Sequence, residues 1–171
     1  MIYRQAQLTD AEQIAQLHAE SWRRTYRGLF TDEFLDNEAD SNRRSVWNER
    51  LASTRQDQFV RVAEDAGILG FVCAYGHEDK VWGSLVDNLH VALGYQRQGI
   101  GTQLLGHVLA WLHAHYPSDP VYLWVMARNS QARGFYEKLG ASNAGSVDKA
   151  NPVGGGSALN CRYVWDLCST K

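Results

Sequence analysis

The apolar positions of this 171-residue chain follow two periods, one near 3.6 and one of 2, and the switches between them mark out the elements. Residues 2–6 suit a short strand. Thr9-Asp10-Ala11-Glu12 then reads as a capping box that opens a helix with Ala11, Ile14, Ala15, His18 and Trp22 along one side. From Trp22 to Phe34 the chain is aromatic and basic, broken by Gly28 and by Thr31-Asp32. A second helix is predicted from Asp40 or Ser41 to Leu51, with Val46, Trp47 and Leu51 as its apolar members and Arg43, Arg44, Asn48 and Glu49 facing outward. Residues 59–64 and 68–75 are β-rich runs around the turn Asp65-Ala66-Gly67, which predicts a hairpin. Residues 76–83 are expected to form a solvated loop, in which His77, Glu78 and Asp79 lack the spacing of a metal site.

The second half reads as strand and helix in turn. Residues 85–91 form a strand, and Ile100, Leu104, Leu105, Val108, Leu109, Leu112 and Tyr116 form the sheet-packing stripe of a long helix. His107, His113 and His115 fall on the surface or boundary of that helix, and Pro117 and Pro120 end it. Residues 121–126 are a continuous apolar run of the buried parallel type. Asn129-Ser130 caps a helix over 131–139 that stops at Gly140. A strand is expected at 144–147 and another at 159–167, where Leu159, Cys161, Tyr163, Trp165 and Leu167 alternate with polar neighbours. Between them lies a Gly-rich loop, with Gly154 to Gly156 at its centre. The order β-α-α-β-β-β-α-β-α-β-β implies an α/β fold, one mixed sheet of about seven strands with helices on both faces, in a single domain over 1–171.

Composition narrows the class only a little. A hydrophobic fraction of 44%, a charged fraction of 21% and a net charge of −2 argue against disorder and against a nucleic-acid partner. Cys73, Cys161 and Cys168 are odd in number and lack CxxC spacing, so reduced thiols in a cytoplasmic protein are expected, with neither a disulfide framework nor a metal. No run of about 18 apolar residues supports a membrane span.

The chemistry concentrates in Gln96-Arg97-Gln98-Gly99-Ile100-Gly101, between a strand and the long helix. Glycines at 99 and 101 allow close approach of a ligand to the backbone, and the helix N-terminus offers unpaired N–H groups to an anion. The P-loop pattern is absent, and Leu104 stands where a dinucleotide fingerprint has its third glycine. What remains, [QR]-x-x-G-x-[GA] after a strand, resembles the acetyl-CoA signature of the GNAT superfamily of N-acetyltransferases. Asn129-Ser130-x-Ala132-x-x-Phe135-Tyr136-Glu137-Lys138-Leu139-Gly140 resembles a second segment of that family, and the element order extends the resemblance over essentially the whole chain.

The resemblance implies acetyl-CoA as cosubstrate. It places the pyrophosphate on Gln96, Arg97, Gln98, Gly99, Ile100, Gly101 and Thr102, and pantetheine and the acetyl carbonyl on the backbone of Leu89, His90 and Val91 in a splayed strand. Asn129, Ala132 and Tyr136 complete the cofactor site, with Tyr136 near the thioester sulfur as proton donor to the leaving thiolate. Asn129 also suits a plain helix cap, and Tyr136 an amphipathic core ring. Gln96 departs from the Arg common at the first signature position, and Arg97 is then an additional cation nearby. The resemblance further implies that Trp22, Tyr26 and Phe30 line the acceptor pocket, although ordinary packing accounts for each of them equally well.

Acetyl transfer to an amine needs an uncharged nucleophile, while an amine of lysine type has a pKa of about 10.4 and arrives as ammonium. Asp87 ranks first as the group that takes its proton, directly or through water; His90 ranks second. A buried structural Asp87 stays open as well. The reading is direct transfer from acetyl-CoA to a primary amine of a small polar molecule or peptide, with a homodimer left open. The alternative is a CoA-binding regulatory domain that has lost transfer.

Overall fold

The computed structural model describes residues 1–165 apart from 54, 152 and 154. Its strands are β1 (Ile2–Gln5), β2 (Gln58–Glu64), β3 (Ile68–Asp79), β4 (Gly83–Val91), β5 (Val121–Met126), β6 (Ser142–Ala150) and β7 (Ser157–Trp165). The helices are α1 (Ala11–Thr25), α2 (Ala39–Ala52), α3 (Ile100–His115) and α4 (Ser130–Lys138). All seven strands join one sheet in the order β1-β2-β3-β4-β5-β7-β6. Every neighbouring pair is antiparallel except β4 with β5.

Strand alternation sorts the core into two layers. On one face, Ile14 and Leu17 of α1 and Trp47 and Leu51 of α2 pack on Val60, Val62, Phe71 and Cys73. On the other, Ile100, Leu104, Leu105, Val108 and Leu112 of α3 and Tyr136 of α4 cover Ala63, Val72, Ala74, Val86 and Leu123. Leu104, Val108 and Val72 have no exposed surface, and burial of each such side chain contributes about 1.5–3 kcal/mol. Where α3 ends, its C-terminal neighbour Tyr116 lies flat against β3. A Cβ on Gly76 would stand 2.0 Å from the Tyr116 ring, so only glycine admits this contact.

Five expectations shift. The cap of α1 lies earlier than the Thr9–Glu12 box: a 3-10 turn at Leu8–Asp10 leads into the helix, and the Asp10 carboxylate accepts from the Gln7 N–H at 2.7 Å. Arg4 also donates to Asp10, at 2.7 and 2.9 Å, so Asp10 serves β1 as well as the helix. A π-type turn at Phe34–Glu38 starts α2 at Ala39 rather than 40–41. β3 runs on through His77, Glu78 and Asp79, which were expected in a loop; Asp79 pairs with Gly83, leaving a turn over 80–82. β6 covers 142–150 rather than 144–147, because β7 supplies the ladder that its exposed side chains do not announce. Leu159, expected inward with Cys161, is 47% exposed while Ala158 is buried, since β5 stops opposite Asn160. Leu167, Cys168 and Gly154 lie outside the described residues. Among those described, no helix is long and apolar enough to cross a membrane.

Candidate active site

β4 and β5 run side by side for only two pairs, Ser84 with Val121 and Leu85 with Tyr122, before they part. The parting begins where β4 bulges. Opposite β3, Cys73 faces Asn88 and Ala74 faces Val86, so Asp87 is the additional residue. Strict alternation would turn Asp87 and Asn88 to opposite faces. The bulge instead brings both to one guanidinium: Arg50 Nη1 of α2 donates to Asp87 at 2.8 Å and to Asn88 at 2.9 Å. Beyond the bulge, Leu89, His90 and Val91 keep their pairing to β3, but among the described residues no strand pairs with their other edge. Backbone groups at such an edge require partners from a ligand or from water. Gln96 supplies one, since its Nε2 donates to the Val91 carbonyl at 3.2 Å.

The chain turns from β4 into α3 through two left-handed residues, Arg97 at φ 62° and Gly99 at φ 84°. Gly99 is the N-cap, and no side chain caps the first turn of α3. The N–H groups from Ile100 onward therefore face outward with the positive end of the helix dipole behind them. A Cβ on Gly99 would meet nothing within 4 Å, so its requirement is conformational. A Cβ on Gly101 would stand 3.5 Å from Phe135 and 3.7 Å from Val91, in the space between β4 and α4. Gln98 turns back to the Gly94 carbonyl at 3.1 Å, and Thr102 is exposed in the first turn of α3. Beside this turn, Arg24, Gln96, Arg128, Asn129 and Ser130 line a cleft of about 420 Å³. Its two arginines suit phosphate oxygens, and the sequence patterns pointed to neither of them.

Across the cleft, Asn129 does cap α4: its Oδ1 accepts from the Ala132 N–H at 3.1 Å, which leaves its amide NH₂ free. Tyr136 is 9% exposed and packs edge-on against Phe135 and Trp165. Its hydroxyl makes no hydrogen bond among the described residues. Burial, with Tyr26 adding to it, pushes its pKa well above the ordinary phenol value. Tyr26 is itself pushed up to about 12 by burial and then by the Asp87 carboxylate. Both phenols thus stay protonated at neutral pH.

The aromatic region divides. Trp22 and Phe30 are buried with Phe34, Leu35 and Ala39, as core residues of the α1–α2 joint, whereas Tyr26 is half-buried at the end of α1. His90 faces the α1 layer, where its Nδ1 lies 2.8 Å from Ser21 Oγ and its ring centroid is 4.5 Å from that of His18. Burial, with Arg24 and Arg43 adding to it, lowers the His90 pKa to about 4, so the ring is neutral at pH 7. His18 is fully buried, and its Nδ1 accepts from Trp47 Nε1–H at 3.0 Å. Its proton is therefore on Nε2, an atom with no partner among the described residues. No group of side chains there could hold a metal ion.

The Acetyltransferase (GNAT) family profile matches residues 12–141, from the first helix to the end of α4. The chain belongs to this family. As a GNAT acetyltransferase it has relatives that match most of their length. It is 29% identical over 171 residues to a probable N-acetyltransferase of Mycobacterium tuberculosis, covering 94% of this chain and 90% of the relative. An uncharacterized N-acetyltransferase of Bacillus subtilis is 27% identical over 129 residues, covering 74% of this chain and 72% of the relative. Among solved structures, the PaiA N-acetyltransferase of Thermoplasma acidophilum, in complex with coenzyme A, superposes with a TM-score of 0.73 at 17% identity, covering 96% and 98% of the two chains. The NAA60 protein of Arabidopsis thaliana, in complex with acetyl-CoA, does so at 0.71 and 17%, covering 96% and 97%. At these identities the likeness to solved structures is one of fold.

Proposed function

We propose that this GNAT enzyme takes the acetyl group of acetyl-CoA and transfers it directly to the primary amine of a small polar molecule or a peptide, within a ternary complex. The observation that carries the reading is the parting of β4 from β5 beside the uncapped N-terminus of α3. That arrangement offers an extended backbone edge and a set of outward-facing, uncapped N–H groups, which match a pantetheine arm and a pyrophosphate. The N–H groups of 97–102, with Gln96, hold the pyrophosphate. The edge of Leu89, His90 and Val91 holds pantetheine and polarises the acetyl carbonyl as charge develops on it. Asn129 and Ala132 flank the arm, and the Tyr136 hydroxyl stands at the sulfur as the thiolate departs.

The nucleophile is the acceptor amine itself. A covalent acetyl-enzyme would need an accessible thiolate, and both described cysteines are buried; burial and the Asp87 carboxylate push Cys73 up to about 12. The amine proton goes to Asp87, whose Oδ2 is held by Arg50 and whose other oxygen is free, directly or through water. His90, lowered to about 4 by burial and hydrogen-bonded to Ser21, lies on the α1 side and serves better as a wall of the pocket. The test is initial-rate kinetics with acetyl-CoA and an amine panel. Intersecting double-reciprocal lines are expected. Parallel lines, or acetyl transfer to the protein in the absence of amine, would refute direct transfer.

A further inference from the structure

Arg43 is a charged residue that the fold leaves without a counter-ion. It lies on the core-facing side of α2, four residues before Trp47, and is 8% exposed. Its guanidinium sits 4.0 Å above the ring of Trp22. Its only hydrogen bonds are to the side chain of its neighbour Asn42, through Nε and Nη2, and its Nη1 makes none among the described residues. Among the described residues no carboxylate lies within ion-pair distance of it. The contrast with Arg50, two turns along the same helix, is direct: Arg50 is paired with Asp87. Burial, with Arg50 adding and Asp87 opposing, lowers the Arg43 pKa to about 10. A buried guanidinium with no anion beside it is costly, and an aromatic ring under it offsets only part of that cost.

The position of this charge matters. Arg43 acts electrostatically on Tyr26 and on His90, and Asp87 acts on both Arg43 and Tyr26, so the four groups share one region on the α1–α2 side of β4. Arg24 acts on His90 from the end of α1. Of the two arginines that α2 contributes, Arg50 already holds Asp87, which leaves the Arg43 charge unpaired among the described residues. A polycationic acceptor would enter against an excess of positive charge, while an anionic group on the acceptor would find Arg43 ready to pair.

We infer that the acceptor is an amino carboxylate, a small molecule bearing both the amine that is acetylated and a carboxylate that Arg43 binds. The inference rests on the reading of this region as the acceptor side of an acetyltransferase, and it adds the substrate class. Arg43 is then a specificity-determining residue: its fork geometry fits two carboxylate oxygens, and the ion pair replaces the missing counter-ion. The surrounding positive charge also lowers the pKa of the bound ammonium, which raises the fraction of free amine.

The test reads binding without chemistry. Protein saturated with CoA is titrated calorimetrically with glycine, β-alanine, γ-aminobutyrate, leucine and phenylalanine. Each is compared with its carboxamide, and putrescine serves as the cationic control. At least one carboxylate is expected to bind ten-fold or more tightly than its amide, with putrescine the weakest. Arg43→Gln is expected to abolish that ratio and Arg43→Lys to restore part of it. Arg43→Met keeps the aliphatic cover of Trp22; loss of the ratio in Arg43→Met with an unchanged melting temperature separates recognition from packing. Equal binding of every carboxylate and its amide in the parent protein overturns the inference. So does a ratio that survives in Arg43→Gln and Arg43→Met. The melting shift with acetyl-CoA is recorded on the same proteins. Its absence would remove the acetyl-transfer reading, whereas a normal shift with no carboxylate preference would remove only the substrate class.

Discussion

Replacing Tyr136 by Phe is expected to leave the fold intact and slow the chemistry, and the structure provides magnitudes for both effects. The ring is 9% exposed and its contacts to Phe135 and Trp165 survive in Phe, so no cavity forms. The hydroxyl has no hydrogen-bond partner among the described residues, so its loss orphans nothing, and stability is expected to change by less than about 1 kcal/mol. The same hydroxyl, kept protonated by burial, is the proposed proton donor to the CoA thiolate. General-acid help is worth roughly 10²–10⁴-fold, or about 3–5 kcal/mol of barrier. Because burial raises the phenol pKa, this arm of the pH–rate profile stays protonated up to pH 10 and beyond. The assay is single-turnover thiol release at saturating acetyl-CoA, with solvent viscosity varied to confirm that chemistry limits the rate. A fall in kcat of at least tenfold is expected, with acetyl-CoA affinity within twofold of the parent. Parental turnover under these conditions would make Tyr136 a packing residue only.

Three further perturbations follow. Gly101→Val fills the space between Phe135 and Val91 and is expected to abolish the melting shift with acetyl-CoA in a folded protein; it is the cleaner choice than Gly99→Val, because a β-branched residue at φ 84° adds backbone strain of about 1–3 kcal/mol. A shift retained in Gly101→Val would argue against a cofactor in that gap. Trp47→Phe removes the donor to the buried His18 Nδ1 and is expected to cost about 1–3 kcal/mol in urea unfolding, so an unchanged midpoint would show that the bond contributes nothing. Stability is expected to fall as pH drops from about 6.5 to about 4, because the unfolded chain protonates at the normal histidine value while folded His90 stays neutral; His18 is lowered in the same direction. Melting temperatures from pH 7 to 4.5 measure this slope. His90→Phe is expected to flatten it, and an identical profile in that variant would rule His90 out as a source.

What could be read from the letters was local. The unit from β5 through Asn129 to Gly140 was legible because a cap, an apolar stripe and a glycine stop act within a dozen residues, and the cap forms at 3.1 Å as expected. The order of strands and helices along the chain was legible because most of the strands carry a local pattern of their own, β6 being the exception. The rest depends on residues far apart in sequence. The bulge at Asp87 leaves no mark in β4, since it is set by pairing with β3. Arg50 reaches Asp87 across 37 residues, so its hold on the proposed base could not be foreseen. β3 continues through polar His77 and Glu78 because Asp119 and Arg55 meet their side chains there. For Trp22 and Phe30 pocket lining and core packing stayed equally open, because aromatic letters do not distinguish an exposed ring from a buried one. Arg43 was read as an outward residue of α2 for a related reason: the helix period marks its face as polar, and only the packing shows that the guanidinium is enclosed.

The contact between Tyr116 and Gly76 gives the cofactor site a remote point of control. α3 has 16 residues, so its two ends are about 24 Å apart at 1.5 Å per residue. One end presents its amides toward the proposed pyrophosphate site; the other end is seated on β3 by a ring resting where a side chain would be. A rigid rod held at its tail aims its head. A methyl group added at residue 76 displaces the tail, and the amides at the far end then swing off the line on which a pyrophosphate would meet them. Gly76→Ala is therefore expected to weaken acetyl-CoA binding, although residue 76 touches neither substrate in the proposed site.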